Sequence, residues 1–260
     1  MEKIVEQPLD NPIIFTRPNA LDYINLIFSN FIEMHGDRFF GDDESILTGI
    51  GMLNNIPVTI IGQMRGKTIR DDAIYHHSMN CPEGYRKALR AMKQAEKFNR
   101  PIITFVDTIG AFPGDSAEER GQNSAIANNL MEMMYLKVPI ISIFIGSGGS
   151  GGALAISVAD EMIMLENSTF GVISPKACAN ILWKDSSREK EAAALLKNTA
   201  HNLMEYGIID NIIKEPQNMN ENPKSVAQNI KKLILEKLNK YKNMPVSEML
   251  NRRYEKFRKF

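Results

Sequence analysis

Residues 138–152 read VPIISIFIGSGGSGG, an apolar run that ends in five glycines and two serines within Gly146–Gly152. The small residues of Ala153–Ile156 follow directly. A continuous apolar run of this length is typical of a strand buried on both faces, and glycines let a backbone approach a ligand closely. The order is predicted to be strand, glycine-rich turn and helix start, with unpaired helix N–H groups facing the turn. The turn is therefore expected to hold a negatively charged group.

Three kinds of site fit this glycine run. Gly146–Gly151 has the spacing of a dinucleotide fingerprint, although it lies past the middle of the chain rather than in a first βαβ unit. Gly148–Gly152 has the spacing of a serine nucleophile elbow, which needs a histidine further along the chain. His201 is the histidine available, and it falls in Glu189–Tyr206, a segment predicted to be helical. The third site is an oxyanion hole made only of backbone amides.

The composition indicates an ordinary globular protein. The chain has 260 residues, 43% of them hydrophobic, with 31 basic and 31 acidic side chains. This balance favours neither nucleic acid nor a membrane as a partner. The N-terminal sequence lacks the plan of a signal peptide, so a cytoplasmic location is expected. Cys81 and Cys178 are far apart and have no neighbouring ligands, so no metal is expected in this chain.

Apolar runs alternate with helical patterns along the chain, which predicts a parallel sheet covered on both faces and the α/β class. The predicted strands are Ile46–Leu53, Ile56–Gly62, Pro101–Val106, Val138–Ile145, Met162–Leu165, Phe170–Ile173 and Ile208–Ile213. The predicted helices include Leu21–Met34, a helix that begins at Pro82, and Ala117–Leu136. A further helix is predicted from the apolar stripe between Val226 and Tyr241. We expect an N-terminal arm over 1–20, one domain over 21–215 and a helical C-terminal extension over 216–260.

Basic residues mark two further segments. The helix opened by Pro82 carries five basic side chains on one side, which is typical of a solvated face: Arg86, Lys87, Arg90, Lys93 and Lys97. The loop Gly62–Thr68 is one residue short of a phosphate-binding P-loop. We interpret Arg65, Lys67 and Arg70 as a basic loop that either faces solvent, as is more common, or contacts an anionic group of a substrate.

A second loop follows a buried strand just as the glycine run does. Residues 107–114 read DTIGAFPG and come after the strand Pro101–Val106. Loops at the carboxyl ends of neighbouring parallel strands meet at one edge of the sheet. An N–H from Gly110 or Ala111 could therefore join one from Gly151 or Gly152, which is the minimum for an oxyanion hole with two donors.

Five motifs in order along the chain resemble one family. They are PEGYRKALR at Pro82–Arg90, AEERGQ at Ala117–Gln122, GGSGGALAI at Gly148–Ile156, VISP at Val172–Pro175 and ILWKD at Ile181–Asp185. The chain resembles the carboxyltransferase alpha subunit of bacterial multi-subunit acetyl-CoA carboxylase from about Arg17 to its C-terminus. The resemblance implies a crotonase-like (ClpP-like) fold, in which ββα units form a spiral.

The same resemblance implies an activity and a set of partners. The expected reaction moves a carboxyl group from carboxybiotin to acetyl-CoA and gives malonyl-CoA, the first committed step of fatty acid synthesis. Biotin is expected to be covalently bound to a separate biotin carboxyl carrier protein, and a partner biotin carboxylase to use the ATP and bicarbonate. A beta subunit with a zinc ribbon is expected to complete an alpha2-beta2 assembly. Released biotin anion can remove the methyl proton, so no general base of the protein is required.

Residue roles follow from the resemblance. The amides of Gly151 and Gly152 are expected to bind the ureido oxygen of biotin, with Gly110 or Ala111 as a second donor. The residues expected to contact substrate are Gly148, Gly149, Ser150, Phe112, Ser174, Pro175 and Lys67. Three residues depart from the family pattern near this site, namely Ser147, Ile109 and Lys176. Transfer to another acyl-CoA, a serine hydrolase of the same fold that uses Ser150, and a non-catalytic partner subunit remain alternatives.

Overall fold

The computed structural model describes residues 17–216 and 222–260. The strands are β1 Ser29–Glu33, β2 Ile46–Leu53, β3 Ile56–Gln63, β4 Met79–Asn80, β5 Ile102–Thr108, β6 Gly110–Ala111, β7 Ile140–Gly149, β8 Glu161–Leu165, β9 Thr169–Gly171 and β10 Asn211–Ile213. The helices are α1 Ala20–Ile27, α2 Ile69–Ile74, α3 Pro82–Lys97, α4 Asp115–Glu119, α5 Gln122–Tyr135, α6 Ser150–Leu154, α7 Pro175–Trp183, α8 Glu189–Leu196, α9 Ala200–Glu205, α10 Pro223–Tyr241 and α11 Val246–Phe257. None of these helices is both long and apolar enough to cross a membrane.

The strands form one large sheet and one short ribbon. The sheet has the order β1-β2-β3-β5-β7-β8-β10, with β9 paired to the end of β7, and β4 pairs with β6. The pairs β1-β2 and β2-β3 are antiparallel, whereas β3, β5, β7, β8 and β10 run parallel. The α/β class and the parallel sheet are thus confirmed. Because β5 and β7 are parallel neighbours, the loops that follow them leave the same edge.

Three predicted helices are shorter than their patterns indicated. The segment Leu21–Met34 is helical only to Ile27, because the following residues extend and pair as β1 with β2. The segment Ala117–Leu136 is broken at Gly121, whose φ of 84° is left-handed. Glu189–Tyr206 is also two helices, since Lys197 is left-handed and Thr199 caps the start of α9.

The basic side of α3 is only partly the solvated face that its charge pattern predicted, since Lys93 and Lys97 are exposed but Lys87 is buried. Lys87 is 1% exposed and donates to the carboxylate of Asp42 at 2.5 Å and to the carbonyl of Asp43. Arg86 pairs with Asp37 at 2.7 Å. Burial raises the pKa of the Asp42 carboxyl, but hydrogen bonds from Lys87 and the backbone outweigh it and bring that pKa to about 2. Arg86, Lys87 and Arg90 therefore hold the loop between β1 and β2 against the helix.

The C-terminal helices pack on the sheet. The stripe of α10 joins the core beneath β3, β5 and β7, with Ile230 and Ile234 fully buried. Arg253 of α11 is 1% exposed and bonds both carboxylate oxygens of Asp160. Its guanidinium also donates to the carbonyls of Met133, Leu136 and Val138. The predicted boundary at 215/216 and the arm over 1–20 remain predictions, because residues 1–16 and 217–221 lie outside the described residues.

Replacing Arg253 by lysine is expected to lower the free energy of unfolding by about 2 kcal/mol, because hydrogen bonds to charged groups are each worth about 1.5 to 3 kcal/mol. An ammonium keeps the charge but lacks the planar fork that reaches both Asp160 and the three carbonyls. Urea denaturation measures the difference. Arg258→Lys is the control, since the side chain of Arg258 is 67% exposed. Equal effects of the two substitutions would contradict the assignment.

Candidate active site

A cavity of about 160 Å³ opens at the carboxyl edge of β5 and β7. It is lined by residues 108–109, 147–150 and 171–175, with Thr169 and Asn198. Among the residues predicted to bind substrate, the structure therefore brings five together here, namely Gly148, Gly149, Ser150, Ser174 and Pro175. The glycine run and the loop after β5 share one cleft, as the topology predicted.

The glycine run is a strand for longer than its composition indicated. Strand β7 continues to Gly149 and pairs with β9 through Ser147, Gly148 and Gly149. Side chains are excluded there, since a Cβ at Gly146 would lie 2.3 Å from the Asp107 carboxylate and one at Gly149 would lie 2.2 Å from the Ile109 carbonyl. The glycines therefore allow close packing against the Asp107 side chain and the Ile109 backbone, and the turn begins only at Ser150.

Helix α6 places Gly151 and Gly152 in its first turn. Its N-cap, Gly149, makes no side-chain capping bond, and the first amides of a helix have no partner within the helix. The carbonyl of Gly151 accepts from the amide of Ala155 at 2.9 Å. Because the peptide group is planar and trans, this bond directs the N–H of Gly152 away from the helix, toward its N-terminal end. The geometry presents amides as donors at the predicted position.

The loop after β5 touches α6 directly. A Cβ at Gly152 would lie 2.7 Å from the carbonyl carbon of Gly110 and 2.8 Å from the amide nitrogen of Ala111. The amide of Gly110 already donates to the Thr108 hydroxyl at 3.0 Å. Of the two predicted second donors, Gly110 is thus already engaged, whereas the amide nitrogen of Ala111 lies beside Gly152.

Two predicted substrate contacts lie outside the cavity lining. The ring of Phe112 packs edge-on against His76, with 5.6 Å between ring centroids. Lys67 pairs with Asp22 of α1 at 2.5 Å. Contacts with Asp43 and then with Cys81 raise the pKa of His76 to about 10, against the effect of its burial. These contacts favour the charged form of His76, next to Phe112.

Ser150 is held in a left-handed conformation with φ of 51°, as strained nucleophiles sometimes are. A nucleophile also needs a base within reach. The chain has four histidines, and each contacts a carboxylate: His35 with Asp42, His76 with Asp43, His77 with Asp72 and His201 with Glu166. His201 is 68% exposed and forms its contact at the surface. This arrangement provides no Ser-His pair at the glycine run.

The departures from the family pattern lie on or beside the cleft. Ser147 and Ile109 line it, and Lys176 follows the lining residue Pro175 in the first turn of α7. The amide of Ser147 donates to the Asp107 carboxylate at 2.9 Å, and Arg65 pairs with the same carboxylate at 3.2 Å. The Asp107–Arg65 pair therefore holds the end of β7. Sequence analysis placed Arg65 in the basic loop and found no role for Asp107.

Buried side-chain amides support the loops from behind. Gln63 donates to the carbonyl of Gly152, Gln122 to that of Phe112, and Asn129 to that of Ala155. Sequence analysis missed all three, since a lone amide in a strand or helix carries no pattern. Within the described residues, no group of three or more metal-ligating side chains is found.

Comparisons with known proteins are consistent along the whole chain. The family model "Acetyl co-enzyme A carboxylase carboxyltransferase-like" matches residues 14–260. The acetyl-coenzyme A carboxylase carboxyl transferase subunit alpha of Clostridium perfringens is 58% identical over 243 residues, which are 93% of this chain and 90% of that relative. A protein of Natranaerobius thermophilus named subunits beta/alpha is 54% identical, and the match covers 93% of this chain and 40% of that protein.

Solved structures share the fold. The beta subunit of a Pseudomonas aeruginosa geranyl-CoA carboxylase superposes with a TM-score of 0.68 at 15% identity, covering 88% of this chain and 43% of that one. A chain of a Pseudomonas malonate decarboxylase hetero-dimer superposes with a TM-score of 0.66 at 18% identity, covering 79% of this chain and 85% of that one. The crotonase-like fold expected from the motifs is confirmed.

Proposed function

Because this chain belongs to the carboxyltransferase alpha-subunit family of acetyl-CoA carboxylase, we propose that the amides of Gly151 and Gly152 bind the ureido oxygen of biotin during carboxyl transfer. The reaction is transfer of a carboxyl group from carboxybiotin to acetyl-CoA, which yields malonyl-CoA. Fatty acid synthesis consumes this product. The observation that carries the residue assignment is the uncapped first turn of α6 at the edge of the cleft.

The physical argument rests on where negative charge develops. Loss of the carboxyl group leaves negative charge on the ureido oxygen, and fixed N–H donors stabilise such an oxyanion without reorganising. The peptide of Gly151 and Gly152 is already oriented by the bond from Ala155. Ala111 is close enough to contribute a further amide from the neighbouring loop. These donors are backbone groups, so their role depends on loop geometry rather than on side-chain chemistry.

The proton of the acetyl methyl group needs an acceptor. The side chains that line the cavity are neutral: they belong to threonine, serine, asparagine, proline and aliphatic residues. This supports a mechanism in which the biotin anion itself removes the proton. In that mechanism the chain orients the two substrates and stabilises charge, and the direct chemistry lies between the substrates.

The rest of the assembly is also part of the proposal. A beta subunit would supply the donor for the thioester oxygen of acetyl-CoA, and the fused beta/alpha protein of Natranaerobius thermophilus supports a close association of the two. Biotin would arrive on its carrier protein, loaded by a biotin carboxylase that uses ATP and bicarbonate. An alpha2-beta2 assembly in the cytoplasm fits these requirements.

Replacing Ser150 by alanine is expected to keep malonyl-CoA formation within about tenfold of the wild-type rate, whereas loss of a true nucleophile costs far more. The assay contains the beta subunit, biotin carboxylase, carrier protein, ATP, bicarbonate and acetyl-CoA. Ser150→Gly is the matched variant, because glycine accepts the left-handed backbone that alanine resists. His201→Ala should also change little. Labelling of Ser150 by a fluorophosphonate would favour the hydrolase instead, whereas collapse of all three rates would favour catalysis by side chains over backbone amides.

A further inference from the structure

We propose that Gln63 and Asn80 are positioning residues that set the geometry of both donor loops. The proposal rests on the carboxyl-transfer site proposed above. Both side chains are fully buried, at 0% exposure, and neither lines the cleft. Any influence on turnover must therefore pass through the backbone that they hold.

Gln63 ends strand β3 and holds helix α6. Its Nε2 donates to the carbonyl of Gly152 at 2.8 Å and to Oδ1 of Asn80 at 2.8 Å. Helix α6 has only five residues, so few backbone hydrogen bonds stabilise its first turn. The bond from Gln63 fixes the peptide on the C-terminal side of Gly152, just as the bond from Ala155 fixes the one before it. Together the two bonds fix the orientation of both peptide groups that flank Gly152.

Asn80 holds the other loop. It lies opposite Ala111 in the β4-β6 pair, and its carbonyl accepts from the amide of Phe112 at 3.0 Å and from Gln122 at 2.8 Å. Its side chain accepts from Gln63. One residue thus anchors the Gly110–Ala111 strand through its main chain and α6 through its side chain.

The direction of the hydrogen bonds requires amides at both positions. Nδ2 of Asn80 donates to the carbonyl and hydroxyl of Ser45, and that hydroxyl donates to the Asp43 carboxylate. Oδ1 of Asn80 must then accept, and Gln63 must direct its NH₂ at two acceptors. Oε1 of Gln63 is consequently buried without a partner among the described residues.

Gln63→Met removes both donated bonds at similar volume. We expect kcat for malonyl-CoA formation to fall about tenfold, with KM for acetyl-CoA within about twofold, because the bonds affect charge stabilisation and not the acyl-CoA contact. Gln63→Glu should recover activity relative to wild type as the pH is lowered from about 8 to about 6. A buried carboxyl has a raised pKa, and its protonated form can donate to Gly152 whereas the ionised form repels both acceptors. A Gln63→Met rate within about twofold of wild type would overturn the proposal.

Thr104→Val is the matched structural control. Thr104 is equally buried in β5 and bonds Ser142 at 2.7 Å, away from both loops. The Thr104→Val substitution should lower the melting temperature about as much as Gln63→Met does, and it should leave kcat within about twofold of wild type. If Thr104→Val and Gln63→Met lose the same kcat at the same loss of melting temperature, the role of Gln63 is structural only and the proposal fails.

Hydrogen exchange separates this proposal from the proposed function. Peptides that cover 150–156 should exchange faster in Gln63→Met than in wild type, and unchanged exchange would overturn the positioning role. If the wild-type chain with its beta subunit formed no malonyl-CoA, the proposed function would fail, and the exchange result would still decide whether Gln63 positions α6. If wild type forms malonyl-CoA and Gln63→Met does so at a rate within about twofold of wild type, only the present proposal fails.

Discussion

Replacing Gly152 by valine is expected to lower the rate of malonyl-CoA formation by about a hundredfold or more, since loss of one oxyanion donor typically costs about 3 kcal/mol. A Cβ at this position would lie 2.7 Å from the carbonyl carbon of Gly110 and 2.8 Å from the amide nitrogen of Ala111. Backbone atoms cannot turn aside as a side chain does, so α6 and the β6 loop must separate. The rate is measured with saturating beta subunit, and circular dichroism and a pull-down report folding and assembly.

Gly151→Ala is the matched control for Gly152→Val. A Cβ at Gly151 would meet only Cγ2 of Ile126, at an ordinary 3.6 Å. The two glycines differ in their contacts within the protein, since a Cβ at Gly152 would clash with backbone atoms of the neighbouring loop and one at Gly151 would not. We expect Gly151→Ala to stay within about tenfold of wild type, since its amide is retained. Near-normal turnover of Gly152→Val, with folding and assembly intact, would contradict the backbone-amide assignment.

The convergence of the two donor loops could be predicted because it follows from local patterns and a topological rule. Buried runs before the glycine run and before Asp107 indicated two parallel strands, and parallel neighbours end at one edge of a sheet. Likewise, the predicted strands Ile46–Leu53 and Ile56–Gly62 left Asn54 and Asn55 between them, and these two residues form the turn between β2 and β3. In these segments local propensity and tertiary structure agree, so the sequence alone was sufficient.

The supporting residues could not be predicted, because their roles arise from contacts between distant parts of the chain. Gln63 reaches the carbonyl of Gly152, 89 positions away, and Arg253 reaches Asp160, 93 positions away. Lys87 shows the same limit, since its charge predicts exposure until Asp42 is placed beside it. Composition also misled within β7, where pairing with β9 outweighs the low strand propensity of glycine. Hydrophobic periodicity identifies helices and strands, whereas the roles of these side chains depend on contacts that only the three-dimensional structure shows.

The purified chain alone is expected to form no detectable malonyl-CoA, with turnover appearing only when the beta subunit is added. In the proposed site, the amides of α6 stabilise one of the two anions of the reaction, the one on biotin. The thioester oxygen of acetyl-CoA needs its own donors, and the cleft offers neutral side chains and one set of α6 amides among its lining and neighbouring residues. An enolate left without a donor forms too slowly to be captured, because each missing donor costs about 3 kcal/mol.

The test mixes the chain with biotin carboxylase, carrier protein, ATP, bicarbonate and acetyl-CoA, with and without the beta subunit. Carboxylation of the carrier protein is followed separately, so that a failure of the first half-reaction is not mistaken for a missing subunit. Gly152→Val with the beta subunit gives the second comparison, because it should assemble and yet turn over slowly. Robust malonyl-CoA formation by the chain alone would mean that both oxyanions are stabilised here, and the division of the site between two subunits would be wrong.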